Sequence, residues 1–159
     1  MQSCNISSWY VCIPPIVILI SVLLLSISQP PYSASSTDEV QSIVNKARIE
    51  TGSSLSNVTV YTRFFLHSID DVQEAKFFKA LSDVLVAGDM LYFEFRSKED
   101  EVLDKVHGKG HYRRYVDTPV MMESLKTLGF DIGYHITGLG MAKYKNEDPF
   151  VSRIIATKV

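Results

Sequence analysis

"LVAGDMLYFEFRSKED", Leu85 to Asp100, is the stretch whose reading decides the fold. Its middle, Met90 to Phe95, is a short apolar run of the kind that lies fully buried inside a parallel sheet. A glycine turn, Ala87-Gly88-Asp89, leads into it. From Glu94 the run passes into charge, with Arg96, Lys98, Glu99 and Asp100 close behind. Either the strand surfaces there, or its end is a site.

The flanks repeat the same alternation of elements. Upstream, "NVTVYTRFFLHSI" (Asn57–Ile69) alternates and is rich in β-branched and aromatic residues, which predicts a strand. Ser68, with Asp71 three positions on, starts a helix with an apolar face of Val72, Ala75, Phe78, Leu81 and Leu85, and Gly88 ends it. Further back, Ser36 and Glu39 have capping-box spacing before Val40, Ile43, Val44 and Ala47, with Gly52 as the stop. Downstream, Arg96 to Asp117 is polar and weakly periodic. Thr118 and Pro119 open a further helix that Gly129 closes. "FDIGYHITG" and "FVSRIIATKV" are two final strands. Strands alternating with helices predict an α/β domain with a parallel sheet. The last two strands have no helix between them and should pair antiparallel.

The chain has 159 residues and a net charge of −2, and every charged side chain lies from Asp38 onward. The charged part is long enough for one domain with a modest core. Its balance argues against a nucleic-acid partner, which favours a basic patch. Both cysteines, Cys4 and Cys12, precede it, so it has no disulfide scaffold, cysteine-ligated zinc or cysteine nucleophile. This divides the chain into an apolar leader (1–28), a Pro- and Ser-rich linker (29–37) and the domain (38–159).

In the leader, Pro15 suits the first turn of a helix over Ile16–Ile27. That helix is shorter than the roughly 20 residues that cross a bilayer, and suits the core of a signal peptide. Counted from Trp9 to Ser28, the uncharged run is long enough for an anchor, with Trp9, Tyr10 and Tyr32 as interfacial residues. The expectation is a single-pass membrane protein; the alternatives are secretion after signal cleavage and a cytoplasmic location. Asn5-Ile6-Ser7 and Asn57-Val58-Thr59 are glycosylation sequons, relevant only in a secretory lumen.

In open α/β sheets ligands bind outside the carboxyl ends of the strands. Glu94 and Arg96 end one strand there, and His67 ends the preceding one with Arg63 behind it. A two-residue repeat turns Arg63, Phe65 and His67 the same way. If the two strands are neighbours, the four polar groups converge. That suffices for acid–base work or for holding an anion; the alternative is a structural ion pair of Glu94 with Arg63 or Arg96. "HGKGHYRRY" (His107–Tyr115) reads as a glycine-containing loop with His111, Arg113 and Arg114 as donors, suited to a lid over a carboxylate or phosphate. It reads equally as a solvated basic loop, and less well as a metal site of His107, His111 and Asp104. "GLG" (Gly138–Gly140) opens no helix and reads as a tight turn.

"VYTRFFLHSIDD", "LVAGDMLYFEFRSKED", "HYRRYVD" and "GLGMAKYKNEDPFVSRIIATK", in this order, resemble the C-terminal half of class I S-adenosylmethionine-dependent methyltransferases, from about Asn57 to Val159. The resemblance implies a partial Rossmann-like sheet whose last strand runs antiparallel, here preceded by the apolar helix. It implies S-adenosylmethionine as cofactor and a small-molecule or glycan methyl acceptor. It implies Arg63, His67, Glu94, Arg96 and the loop of His111, Arg113 and Arg114 as substrate-side residues without settling their individual roles. The expectation is that His67, Glu94 and Arg96 are catalytic and that Arg63, His111, Arg113 and Arg114 bind substrate. The family's glycine-rich loop and ribose-holding acid have no counterpart here, because the leader and linker stand where they should be. The usual Pro-Gly-Gly turn is Ala87-Gly88-Asp89. The chain is therefore expected to bind the cofactor weakly or not at all alone, to expose a sheet edge at Val58–Leu66, and to need a second chain to complete the sheet. Otherwise it is a non-catalytic, membrane-tethered interaction domain or a truncated product.

Overall fold

The computed structural model describes residues 17–19, 37–50, 57–104 and 112–159. In chain order the elements are β1 (Val17–Leu19), α1 (Thr37–Glu50), β2 (Thr59–Arg63), α2 (Asp71–Val84), β3 (Met90–Arg96), α3 (Thr118–Thr127), β4 (Phe130–Gly138) and β5 (Val151–Lys158). Single 3₁₀ turns at Leu66–Ser68 and Lys98–Val102 follow β2 and β3.

The strands form one five-stranded sheet in the order β1-β2-β3-β5-β4. β1, β2 and β3 are parallel. β5 inserts between β3 and β4 and runs antiparallel to both, as expected of the last two strands. β4 therefore points the same way as β3, and its end at Gly138 lies on the same sheet edge as Arg96. A register shift between Ile132 and Tyr134 bends β4.

Alternation along each strand sorts the side chains by face. Val60, Leu91, Phe93, Phe95, Ile154 and Ala156 are buried against Phe77, Phe78 and Leu81 of α2, Met121 and Leu125 of α3, and Val40 and Val44 of α1. Phe78 stacks on Phe93 with centroids 5.8 Å apart. Burying one such side chain is worth roughly 1.5–3 kcal/mol. The opposite face carries Tyr61, Tyr92, Glu94 and Arg153, the register partners of one another across β2, β3 and β5.

Three expectations are corrected here. First, the part of the apolar leader that the structure describes, Val17–Leu19, is a strand and not a helix, and it pairs with β2. The Val58–Leu66 edge is thus covered in part, at Thr59–Tyr61. A short apolar run has no periodicity to separate helix from strand, so a neighbouring edge decides. Second, among the described residues no helix is long and apolar enough to cross a membrane, which overturns the single-pass reading. Third, the strand from Asn57 stops at Arg63. Phe64 turns left-handed (φ +55°), and Ser68 closes the 3₁₀ turn by donating N–H and Oγ–H to the Phe65 carbonyl at 2.8 and 2.6 Å. The helix cap is Asp70, not Ser68: it accepts from Gln73 N at 2.7 Å, and Gln73 Oε1 accepts from Asp70 N at 3.0 Å.

Asp89 holds the turn before β3. Fully buried, it accepts from Val58 N and Val86 N, both at 2.8 Å, and pairs with Arg48 of α1. Its carbonyl accepts from Lys158 N at 2.8 Å, so one residue ties α1, β2, β3 and β5 together. Gly88 beside it has φ +91°, and an added Cβ would meet Asn57 Nδ2 at 3.1 Å. The positive φ is what requires a glycine there; the Asn57 amide is the end of an exposed side chain and can move aside.

Candidate functional site

The carboxyl edge of β2 and β3 is where the sequence put its candidates, and the structure brings several of them together. Arg63, Glu94 and Arg153 form one row across β2, β3 and β5. Glu94 is buried, with 5% of its side chain exposed. Arg63 Nε donates to Oε1 and Arg153 Nε to Oε2, each at 2.8 Å. Arg153 Nη2 also donates 2.9 Å to the Met141 carbonyl, which fixes the start of the β4–β5 loop. Two positions down the strands, Tyr61 and Tyr92 face each other with ring centroids 5.3 Å apart. Burial raises both phenol pKa values, and the Glu94 charge adds to this at each.

Arg96 lies in a separate network. Its Nη1 donates to Asp100 Oδ2 at 2.8 Å and its Nη2 to Glu147 Oε1 at 2.5 Å. Asp100 is fully buried and accepts from Phe150 N at 2.9 Å. The network joins β3, the 3₁₀ turn and the β4–β5 loop. Glu94 and Arg96 are therefore not partners of each other; each is held by other groups.

Arg114 pairs with Asp71 and Glu74 at the start of α2 and donates 3.1 Å to the Leu66 carbonyl. Its backbone N–H donates 2.9 Å to the His67 carbonyl. This pins the segment after the loop against the 3₁₀ turn that carries His67. Burial raises the Glu74 pKa, against the pull of Arg114. Arg113, next to it, is half-buried and has no ion-pair partner among the described residues. His111, His107 and the two loop glycines lie outside the described residues. Among those described, no group of side chains could hold a metal ion.

His67 is the one member whose own chemistry is set by the site. Its Nδ1 is buried without a hydrogen-bond partner. Its pKa falls to about 4, first through burial and then through the charges of Arg96, Arg113 and Arg114, opposed by Asp100. The imidazole is therefore neutral at pH 7. The Phe64 ring lies 5.6 Å from it, and the Arg63 guanidinium carbon lies 5.3 Å from the Phe64 centroid. A bulky residue with φ +55° at a strand end is a backbone outlier of the kind that marks functional edges.

Sequence reasoning missed Arg153, Asp100, Glu147 and Phe64. Arg153 left one signal, a charge next to the apolar Ile154–Ala156 run inside the last strand. Phe64 left none, because nothing in its side chain favours a left-handed backbone.

No family model matches the sequence, and neither does any curated protein. The fold does have solved counterparts. A SAM-dependent methyltransferase from Methanosarcina mazei superposes with a TM-score of 0.51 at 17% identity, over 64% of this chain and 58% of that one. A SAM-dependent methyltransferase from Anabaena variabilis superposes at 0.51 and 15% identity, over 72% of this chain and 54% of that one. The chain has a class I SAM-dependent methyltransferase-like fold, and the match spans little more than half the length of those enzymes.

Proposed function

We propose that this chain is the acceptor-binding part of a SAM-dependent methyltransferase-like protein, with little activity by itself. The observation that supports this best is the neutral imidazole of His67 at the carboxyl edge, its buried Nδ1 without a hydrogen-bond partner, beside Phe64 and Arg113. Such an imidazole can take a hydrogen bond, and then the proton, from an acceptor hydroxyl or amine of a small molecule or glycan. Arg63 and Arg113 are the cations left to bind substrate, and the resemblance adds His111. Both oxygens of Glu94 and both terminal nitrogens of Arg96 are committed to other side chains. We assign these two, and Arg114, to positioning the edge and not to moving protons.

The cofactor side does not fit. In open α/β sheets the nucleotide sits where a glycine-rich turn after a strand opens a helix, because only glycine lets the backbone approach so closely. Between Leu19 of β1 and Asp38 of α1 the sequence contains neither a glycine nor an acid. No step through S-adenosylmethionine is therefore assigned to these residues, and a second chain that completes the sheet would have to supply the cradle. Calorimetry of the full chain with S-adenosylmethionine tests this. We expect no saturable heat in the micromolar range; micromolar binding would restore a self-sufficient enzyme. The missing cradle also favours a second reading, a non-catalytic interaction domain. That reading predicts that neither S-adenosylmethionine nor any small acceptor binds.

A further inference from the structure

Five guanidinium groups stand around the carboxyl edge, and they are not equivalent. Arg96 is held by two carboxylates, Asp100 and Glu147, and Arg114 by two others, Asp71 and Glu74. Arg63 shares its one carboxylate, Glu94, with Arg153, so that row retains a positive charge. Only its Nε is engaged, and 53% of its side chain is exposed. Arg113 has no carboxylate partner among the described residues. The uncompensated positive charge is therefore carried by Arg63, whose guanidinium carbon lies 5.3 Å from the Phe64 centroid, and by Arg113, whose charge acts on the His67 imidazole that the Phe64 ring contacts.

We propose that the acceptor carries an anionic oxygen group, a carboxylate or a phosphate, and that Arg63 and Arg113 hold it beside His67. This rests on the acceptor-binding reading above and narrows its substrate class. The site has a built-in consequence. The groups that act on His67 are Arg96 from β3, Asp100 from the following turn, and Arg113 and Arg114 from the segment ahead of α3. An anion seated on Arg113 cancels one of the charges that keep the imidazole unprotonated. Binding an anionic acceptor thus makes His67 a stronger base where a base is needed. By linkage, anions bind more tightly as His67 takes up a proton.

The test follows the His67 ring proton by NMR in the full-length chain from pH 3.5 to 7.5, assigned with His67→Gln. The probes are sulfate, which mimics a phosphate and does not titrate in this range, and trifluoroacetate for a carboxylate. Sodium chloride at matched ionic strength is the control. We expect a saturable rise of about one pH unit in the His67 midpoint with one or both anions. Loss of that rise is expected in Arg113→Gln, whose fold is checked by its thermal unfolding, with Arg113→Lys as the substitute if it does not fold. A response to sulfate alone assigns a phosphate, and one to trifluoroacetate alone a carboxylate. A midpoint that no anion moves, or that moves equally in the Arg113 variant, overturns the proposal. The titration needs no cofactor. A chain that binds S-adenosylmethionine but ignores anions refutes both this inference and the expectation of no cofactor binding. One that binds neither refutes this inference and leaves that expectation standing; one that binds anions alone refutes only the non-catalytic alternative.

Discussion

Glu94 on β3 and Arg153 on β5 face each other across an antiparallel pairing, and Arg153 Nε donates 2.8 Å to Oε2 of that buried carboxylate. Arg63 takes the other oxygen from the parallel side. The carboxylate thus clamps three strands at the edge where the candidate site lies. Glu94→Gln keeps the shape and leaves two guanidiniums with no counter-charge. Breaking a buried pair costs ~3–5 kcal/mol. Because Arg63 is half exposed and can be solvated again, we expect the low end, about 3 kcal/mol, read from the urea midpoint. A loss under about 0.5 kcal/mol, typical of surface pairs, would show that the clamp is not a structural element.

Asp89 should be the more costly residue to lose. It accepts from the backbone N–H groups of Val58 and Val86 and from Arg48. Asp89→Ala leaves buried donors unpaired, which costs ~1–3 kcal/mol for each group. We expect a chain that is largely unfolded at 25 °C by circular dichroism, with Asp89→Asn between it and the parent. A cooperative transition at the parent's temperature in Asp89→Ala would refute the anchoring role.

How much of this was legible in the sequence depended on range. β3, β4 and β5 could be read within a residue or so, because their apolar runs are bounded by glycine, proline and charge. The antiparallel final pair followed from the missing helix between them. An ion pair of Glu94 with Arg63 or Arg96 was open as the alternative to a catalytic role, because these residues end neighbouring strands; which arginine takes it was not legible. Arg153 was not, since its place opposite Glu94 depends on β5 inserting between β3 and β4. The apolar face of α2 was read too narrowly: Phe77 is buried, whereas Val72 is 63% exposed. Phe77 and Phe78 are adjacent, and a broad core stripe takes both. The leader misled because its uniform apolarity fits several structures equally well.

His67 should make stability depend on pH, with a definite sign. Its pKa is lowered from 6.5 to about 4, so the unfolded chain binds a proton that the folded chain refuses in between. The contribution is fully present above pH 6.5 and is lost as pH falls through that window to about 4. At ~1.36 kcal/mol for each unit, the whole loss is about 3 kcal/mol. Urea titrations of the parent and of His67→Gln at pH 7, 5.5 and 4.5 read it directly. The parent should lose stability faster than the variant on acidification. Parallel curves would mean that His67 titrates normally in the folded state.

Phe64 supplies the last prediction, because its backbone and its ring make opposite demands. At φ +55° a side chain without β-branching pays roughly 1–2 kcal/mol, and a β-branched one more. The ring meanwhile covers His67 and receives the Arg63 guanidinium. Phe64→Asn relieves the backbone and removes the ring; Phe64→Val removes the ring and worsens the backbone. If the left-handed turn is what ends β2, the order of thermal midpoints should be parent, then Asn, then Val, with Asn and Val separated by at least about 1 kcal/mol. Asn should also bring the His67 midpoint up toward 6.5, because water then reaches the imidazole. Equal stability of Asn and Val would mean that the chain can leave the left-handed turn without cost, and that Phe64 acts at this edge through its ring alone.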